Sequence, residues 1–437
     1  MKRSARQLCK AFRGSLTLSG TVVVSQLGAR MHYAVPRIFA RAGELECLYT
    51  DICAVKGWPK LLDKLPRTVL PSSLRRLAGR VPKGISKEKI HSFDGFGLAS
   101  GVRRTFASPL NETNTTLAVA RGFSRAVLKQ GFGAAEGFYG ISGECLEQMR
   151  EARRKGLWTV VEQIIAPRQV LDRLLAVEQQ RHPHWQPDAA QDRWAEDYAL
   201  REKAEWAAAS VIVCPSEFVR RTIGEVGGPV ERCVVVPYGI DLGFQVARPA
   251  RRQPGPLRVL TIGQVGLRKG APYVLEAARR LAGTATFRMV GPVAISQARQ
   301  QEMHAALDLA GPTPRSEILE HYKWADVFFL PSVCEGSATV TYEALAAGLP
   351  VVTTPNAGSV IRNGVDGFIC PAGNHGAFRQ ALEQLALDPQ LLASMSKEAA
   401  ITGRDHDVSG YGRRLLGALQ PMRDAWKSAG RELLPQS

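Results

Sequence analysis

Short β-branched, apolar runs alternate with longer stretches of helical periodicity from about residue 21 onward, the pattern of repeated β-α units that build a parallel sheet. In the first half, strands are predicted at 21–25, 133–139, 157–162, 210–214 and 233–237. Apolar positions three and four apart predict helices between them, notably over 32–42, 144–155 and 193–209. The alternation restarts with strands at 257–262, 286–290, 327–330, 349–353 and 367–370. Between the two series, 247–256 combines arginines with three prolines and a glycine, as an interdomain linker does. The chain therefore divides into an extension (1–20), a first doubly wound α/β domain (21–242), a linker (243–256), a second (257–404) and a tail (405–437). The helical stretch of the tail, 411–422, precedes no strand and must dock on something already built. No short-period repeat is present, which removes solenoids and propellers.

At 437 residues the chain is too long for one comfortable core, which agrees with two domains. Hydrophobic residues at 45% and charged residues at 22% are those of a globular protein, so neither disorder nor a membrane-embedded bundle is expected. The net charge of +17 calls for an anionic partner. The excess is local: 56–104 holds twelve Lys/Arg against three acids, a net +9, interleaved with Leu61, Leu62, Leu65, Leu70, Leu74 and Leu77. That mixture suits peripheral contact with an anionic membrane, and equally a solvated basic loop region. Basic RNA motifs are absent and aromatic residues make up 7%, so no nucleic-acid partner is expected.

Eight cysteines lie far apart with no C-x-x-C pair, as buried thiols of a reducing compartment do. The basic start of the chain is interrupted at Arg13 and contains no apolar core of a signal peptide. It reads as a disordered tail or a short lipid-touching amphipathic helix. No run is long enough to span a bilayer. The expected location is the cytoplasm, with any membrane contact peripheral on the cytoplasmic face.

In open parallel sheets, ligands bind at the carboxyl ends of strands, where loops and helix N-termini offer N–H groups to phosphates. The loop after the strand at 257–262 carries Gly263, Gln264, Gly266, Arg268, Lys269 and Gly270. Its glycines permit close backbone approach and its cations supply charge, although the spacing is not G-x-G-x-x-G and a solvated basic turn reads equally well. A second loop follows the strand at 327–330 and carries Glu335, then Ser337, Ala338, Thr339 and Val340 at the start of a helix that bears Glu343. Amides over 337–340 suit phosphate oxygens, and the two carboxylates suit the vicinal diols of a nucleotide sugar. The alternative is a capping acid and a surface helix residue. Ala344, Leu345, Ala346 and Ala347 argue against it, because an unpartnered carboxylate in so apolar a helix is costly.

Glu335-x7-Glu343 with the following Ala-Leu-Ala-Ala-Gly-Leu-Pro-Val-Val, the Arg268-Lys269-Gly270 loop and the segment 236–241 (Val-Pro-Tyr-Gly-Ile-Asp) resemble glycosyltransferase family 4. Residues 214–219 and 356–371 also fit its patterns. The resemblance implies the GT-B fold, two Rossmann-like domains facing a cleft with the C-terminal helix crossing back onto the first. It implies a retaining glycosyltransferase using a nucleotide diphosphate sugar, with no cofactor and no metal, and a saccharide or lipid-linked acceptor. By the same resemblance Glu335 holds the transferred sugar, Glu343 the ribose, and Lys269 neutralises the diphosphate; Gly291 and 315–318 border the base. Two departures stand out: Gln264 occupies a position where many relatives have arginine, a duty that falls to Arg268, and the loop around Gly28 has one glycine where a pair is frequent. Gly28, His32 and Glu162 are the acceptor-side candidates, the last two reading equally well as surface residues.

Two carboxylates flanking a glycosidic bond would suggest hydrolysis, but Glu335 and Glu343 share the donor-binding domain, which argues for binding. Asp405 and Asp407 mimic the Asp-x-Asp of metal-dependent transferases without following a strand, and are read as coincidence. The remaining alternatives are a sugar-nucleotide epimerase or phosphorylase of the same fold, and a non-catalytic basic protein that binds membrane or nucleic acid.

Overall fold

The computed structural model describes residues 20–64, 71–106, 111–187, 192–246 and 255–429. Residues 1–19 of the extension, 247–254 of the linker and the leucines at 65 and 70 lie outside these described residues. The first sheet contains β1 (Val22–Ser25), β2 (Leu45–Thr50), β3 (Ile90–Ser92), β4 (Gly137–Ile141), β5 (Trp158–Glu162), β6 (Val211–Cys214) and β7 (Cys233–Val235). Its order is β3-β2-β1-β4-β5-β6-β7, with every pair parallel. The second contains β8 (Leu257–Ile262), β9 (Ala285–Val290), β10 (Asp308–Gly311), β11 (Val327–Leu330), β12 (Val351–Thr353) and β13 (Gly367–Ile369). Its order is β10-β9-β8-β11-β12-β13, again all parallel.

The central strands are dominated by apolar residues because helices cover both faces. Successive side chains alternate between faces, so Val22 and Val24 enter one core of the first domain while Val23 enters the other. Val160 and Val161 of β5 divide in the same way, as do Val259 and Leu260 of β8. Strands β2, β3 and β10 are not foreseen by the sequence pattern. β2 reads Leu-Glu-Cys-Leu-Tyr-Thr, and its Glu46 accepts bonds from Thr21 Oγ1 (2.9 Å) and the Ala134 amide (3.1 Å) at the sheet margin. β3 and β10 are short edges with polar or exposed positions. The strand expected at 133–139 begins only at Gly137, and the helix expected from residue 32 begins at Ala34.

The tail helix, Val408–Ser428, crosses back onto the first domain. Leu415, Leu419 and Trp426 share a core with Val22, Ile38 and Phe39. Arg423 pairs with Glu44 at 2.8 Å and lies over the rings of Trp158 and Phe39. Its start is tied to the first domain by backbone bonds from Ile240 to His406 and from Val408 to Ile240, where a side chain at Gly239 would meet the Asp407 carbonyl at 2.2 Å. The Asp405 to Asp407 element is thus a helix junction: Asp405 ends one helix and Asp407 caps the next through the Gly410 amide at 2.6 Å.

A second bridge joins the domains. The helix Arg168–Arg181 and the turn after it reach across, where Glu178 accepts from Tyr273 Oη (2.6 Å). Gln186 binds the Leu267 amide and the Ala294 carbonyl, and Trp185 enters the core of the second domain. The two carboxyl edges are thereby held against one another.

Candidate active site

Close backbone packing shapes the second domain's edge. Gly263 (φ +148°) and Gly291 (φ +147°) adopt conformations reserved for glycine, and a Cβ on Gly291 would sit 2.1 Å from the Gly263 carbonyl. The chain after β8 can then turn back, so that Arg268 and Lys269 face the loop after β11. Lys269 Nζ lies 2.8 Å from Glu335 Oε1, and Arg268 Nη1 lies 2.6 Å from the same oxygen. No hydrogen bond to Oε2 is present among the described residues, so the second carboxylate oxygen is left to accept. Burial depresses the Lys269 pKa, opposed in part by the Glu335 charge.

The loop holding Glu335 is braced from behind. The Glu335 amide donates to the Asn356 carbonyl (3.0 Å) and the Ala338 amide to the Ala357 carbonyl (3.0 Å). Ala338 therefore serves the loop with its N–H and does not offer it to a ligand. Ser337 Oγ bonds the Gly358 carbonyl (2.8 Å) and Tyr342 Oη (2.6 Å). The amides of Thr339 and Val340 open the helix Thr339–Ala346, where helix geometry provides no intrahelical acceptor.

Glu343 is 3% exposed, one turn into that helix. Its two oxygens receive Arg315 Nη2 at 2.6 Å and Tyr322 Oη at 2.9 Å, and the Arg315 guanidinium lies over the Phe244 ring at 4.5 Å. The carboxylate is thus a partnered buried charge, not a surface helix residue. Arg315 falls in the segment expected near the base, but its pairing with Glu343 spans 28 residues and has no sequence signal.

On the facing edge, the loop after β1 carries an unusual turn. Met31, His32 and Tyr33 all have positive φ (45°, 52° and 61°), each costing roughly 1–2 kcal/mol relative to the right-handed form. The Leu27 amide donates to Glu144 Oε2 (2.9 Å), the Gly28 amide to Asp51 Oδ1 (2.9 Å), and Tyr33 is fully buried. His32 is exposed at its apex. Glu162 is neither an exposed strand-end acid nor open to the cleft: it is 1% exposed and accepts from Tyr139 Oη (2.7 Å) and Tyr238 Oη (2.6 Å), with Arg30 Nε at 4.0 Å. The sequence pattern marks Glu144 only as the start of a helix and gives no sign of this role. Burial raises its pKa to about 7 against the Leu27 amide and Arg30.

The edges meet at Gly336. A Cβ there would fall 1.8 Å from the Ile164 carbonyl, and Ser216 Oγ of the first domain donates to the Gly336 carbonyl at 2.5 Å. Ser216 also caps its own helix through the Val219 amide. The loop bearing Glu335 is thus seated on the end of β5 and the turn after β6.

Two parallel-sheet domains facing across this seam, closed by the returning helix, are the GT-B fold. A structure of Anabaena Alr3699/HepE in complex with UDP and glucose superposes with a TM-score of 0.54 at 14% identity, covering 92% of this chain and all of the other. Sucrose-phosphate synthase from Thermosynechococcus elongatus superposes with a TM-score of 0.57 at 14% identity, covering 93% and all of the other chain. Residues 246–402, which hold Lys269, Glu335 and Glu343, match the family model of glycosyl transferases group 1. A similar curated sequence is the putative colanic acid biosynthesis glycosyltransferase WcaL of Escherichia coli K12, 28% identical over 193 residues, 40% of this chain and 47% of that protein. The chain spans about half the length of the curated relatives it matches. Among the described residues no helix is long and apolar enough to cross a membrane, and the cysteines are free thiols.

Proposed function

We propose that this protein is a retaining, metal-independent glycosyltransferase that moves a sugar from a nucleoside diphosphate sugar to an acceptor hydroxyl. The carrying observation is the convergence of Arg268 and Lys269 on one oxygen of Glu335, beside the first turn of the helix that bears Glu343. An arriving diphosphate draws the two cations off Glu335, aided by the first-turn amides. Glu335 then accepts from hydroxyls of the transferred sugar, and Glu343 accepts from the ribose diol while keeping Tyr322 as a donor. With Gln264 uncharged, Arg268 supplies the second phosphate cation.

In the reaction the acceptor oxygen bonds the anomeric carbon on the face the donor leaves. The bond from that carbon to the diphosphate oxygen breaks, its electron pair departs with the nucleoside diphosphate, and the acceptor's proton passes to the leaving phosphate oxygen. No protein nucleophile is needed. The free cysteines suit the reducing cytoplasm.

A thermal-shift panel of UDP, GDP, ADP, dTDP and their sugars tests this reading. Stabilisation by one of them that vanishes in Glu343→Ala is expected, with slow release of the nucleoside diphosphate. Conversion of the sugar nucleotide to an epimer, or a shift by nucleic acid alone, overturns it.

A further inference from the structure

Among the described residues, Trp58, Leu61, Leu98, Val102 and Phe106 are large apolar side chains left exposed within one segment of the first domain, Phe106 by 83%. All but Leu61 line a cavity of about 700 Å³ at the carboxyl ends of β1 and β2. That volume lies in the range of ligand pockets. Leu27, Ile52, Leu74, Leu77 and Val119 supply the rest of its apolar wall.

The cavity is built by the helix Asp94–Thr105. Gly97, Ser100, Gly101 and Arg104 recur at helical spacing on the side that lines it. A Cβ on Gly97 would lie 2.9 Å from Ile52 Cβ and 3.0 Å from the Asp51 carbonyl, so glycine lets the helix rest on the end of β2. At Gly101 nothing lies within 4 Å of an added Cβ, and the space above it is open.

The charge in the lining is cationic. Arg76, Arg80 and Arg104 face one acid, Asp51, which Arg80 neutralises at 3.1 Å. Arg76 and Arg104 make no ion pair among the described residues. The other oxygen of Asp51 holds the Gly28 amide, which ties the cavity wall to the loop after β1 in the cleft. A cavity with apolar walls and two guanidinium groups outside any ion pair, Arg104 acting only at longer range on Glu144, and bordered by Leu27 of the loop after β1, has the chemistry of a site for an anionic amphiphile. A free phosphate would have no use for the apolar walls.

We propose that this cavity binds a lipid phosphate, the apolar chain against Leu98, Val102 and Phe106 and the phosphate on Arg76 and Arg104. It thereby presents a lipid-linked acceptor to the cleft past Leu27. Only this last role rests on the transferase reading.

The test uses the full-length protein and farnesyl phosphate below its micellar concentration, with farnesol and inorganic phosphate as comparators, by titration calorimetry. Farnesyl phosphate is expected to bind at least tenfold more tightly than either comparator. Gly101→Leu, which fills the open space, weakens it at least tenfold, and Arg76→Glu with Arg104→Glu removes the preference over farnesol. Equal binding of farnesyl phosphate and farnesol, or unchanged binding in Gly101→Leu, overturns the proposal. So does capture of wild type and Gly101→Leu alike by phosphatidylglycerol vesicles with no competition from farnesyl phosphate, which shows surface adsorption alone. Nucleotide stabilisation is read on the same samples. Farnesyl phosphate binding without any nucleotide response sinks the transferase reading and leaves the cavity standing, while the reverse sinks only the cavity.

Discussion

Lys269 and Glu335 lie 2.8 Å apart with Lys269 buried, so the cation proposed to meet the diphosphate is held by the carboxylate proposed to read the sugar. One contact thus couples the two halves of the proposed donor site. Lys269→Ala should weaken donor binding by about 1.5–3 kcal/mol, the range for a charge-assisted bond, as measured by calorimetry. Unchanged affinity would remove Lys269 from the phosphate site.

The same contact sets a pH dependence. Because burial lowers the Lys269 pKa, the folded protein loses this proton at a pH where an unfolded lysine still holds it. The unfolded state then binds more protons, so this group's contribution to stability rises with pH up to the ordinary lysine range. Donor affinity moves the opposite way, falling as pH rises through the lowered pKa. Lys269→Arg should retain affinity at alkaline pH, and a decline identical to wild type would assign the titration elsewhere.

Glu144, Glu202 and Glu205 titrate in the other sense. Burial raises each to about 7, so between the ordinary carboxylate range and pH 7 the folded state holds protons that the unfolded state has lost. Their contribution is fully present at low pH and disappears as pH rises through 7. Glu144→Gln should flatten this fall in melting temperature between pH 5 and 8; an unaltered slope would show that Glu144 is charged throughout.

Gly336→Ala should drive the domains apart, since its Cβ has only 1.8 Å to the Ile164 carbonyl and both are backbone-anchored. Small-angle scattering should show a larger radius of gyration together with lost transfer. A variant with wild-type scattering and activity would mean the seam yields locally.

Arg423→Ala should cost about 3–5 kcal/mol in urea unfolding, because it leaves Glu44 buried without its partner. Adding Glu44→Gln should recover part of the loss. A loss below 1 kcal/mol would show that water reaches the pair.

Much of this fold is legible in the sequence because strands buried on both faces must be unbroken apolar runs. β6 and β11 are such runs, and β5 and β8 keep an apolar centre at Val160–Val161 and Val259–Leu260 with their charges, Glu162 and Arg258, toward the strand ends. β2 escaped because Glu46 interrupts it, and the edge strands β3 and β10 because a strand covered on one side needs few apolar residues. Left-handed geometry at Met31 to Tyr33 moved the following helix start, and no residue type there announces it, since none is glycine or asparagine.

The sequence by itself determined the alternation of strand and helix, the break between two such series, the loops that carry Lys269 and Glu335 and the helix that bears Glu343, because these follow from local periodicity and from charges placed after strands. Only the tertiary structure decided how those charges are spent. That Lys269 and Arg268 share one Glu335 oxygen, that Arg315 and Tyr322 hold Glu343, that Glu162 lies buried under two tyrosines and that Ser216 seats Gly336 are all matches between distant segments. Buried polar groups must find partners wherever packing brings them, and packing is a property of the whole chain.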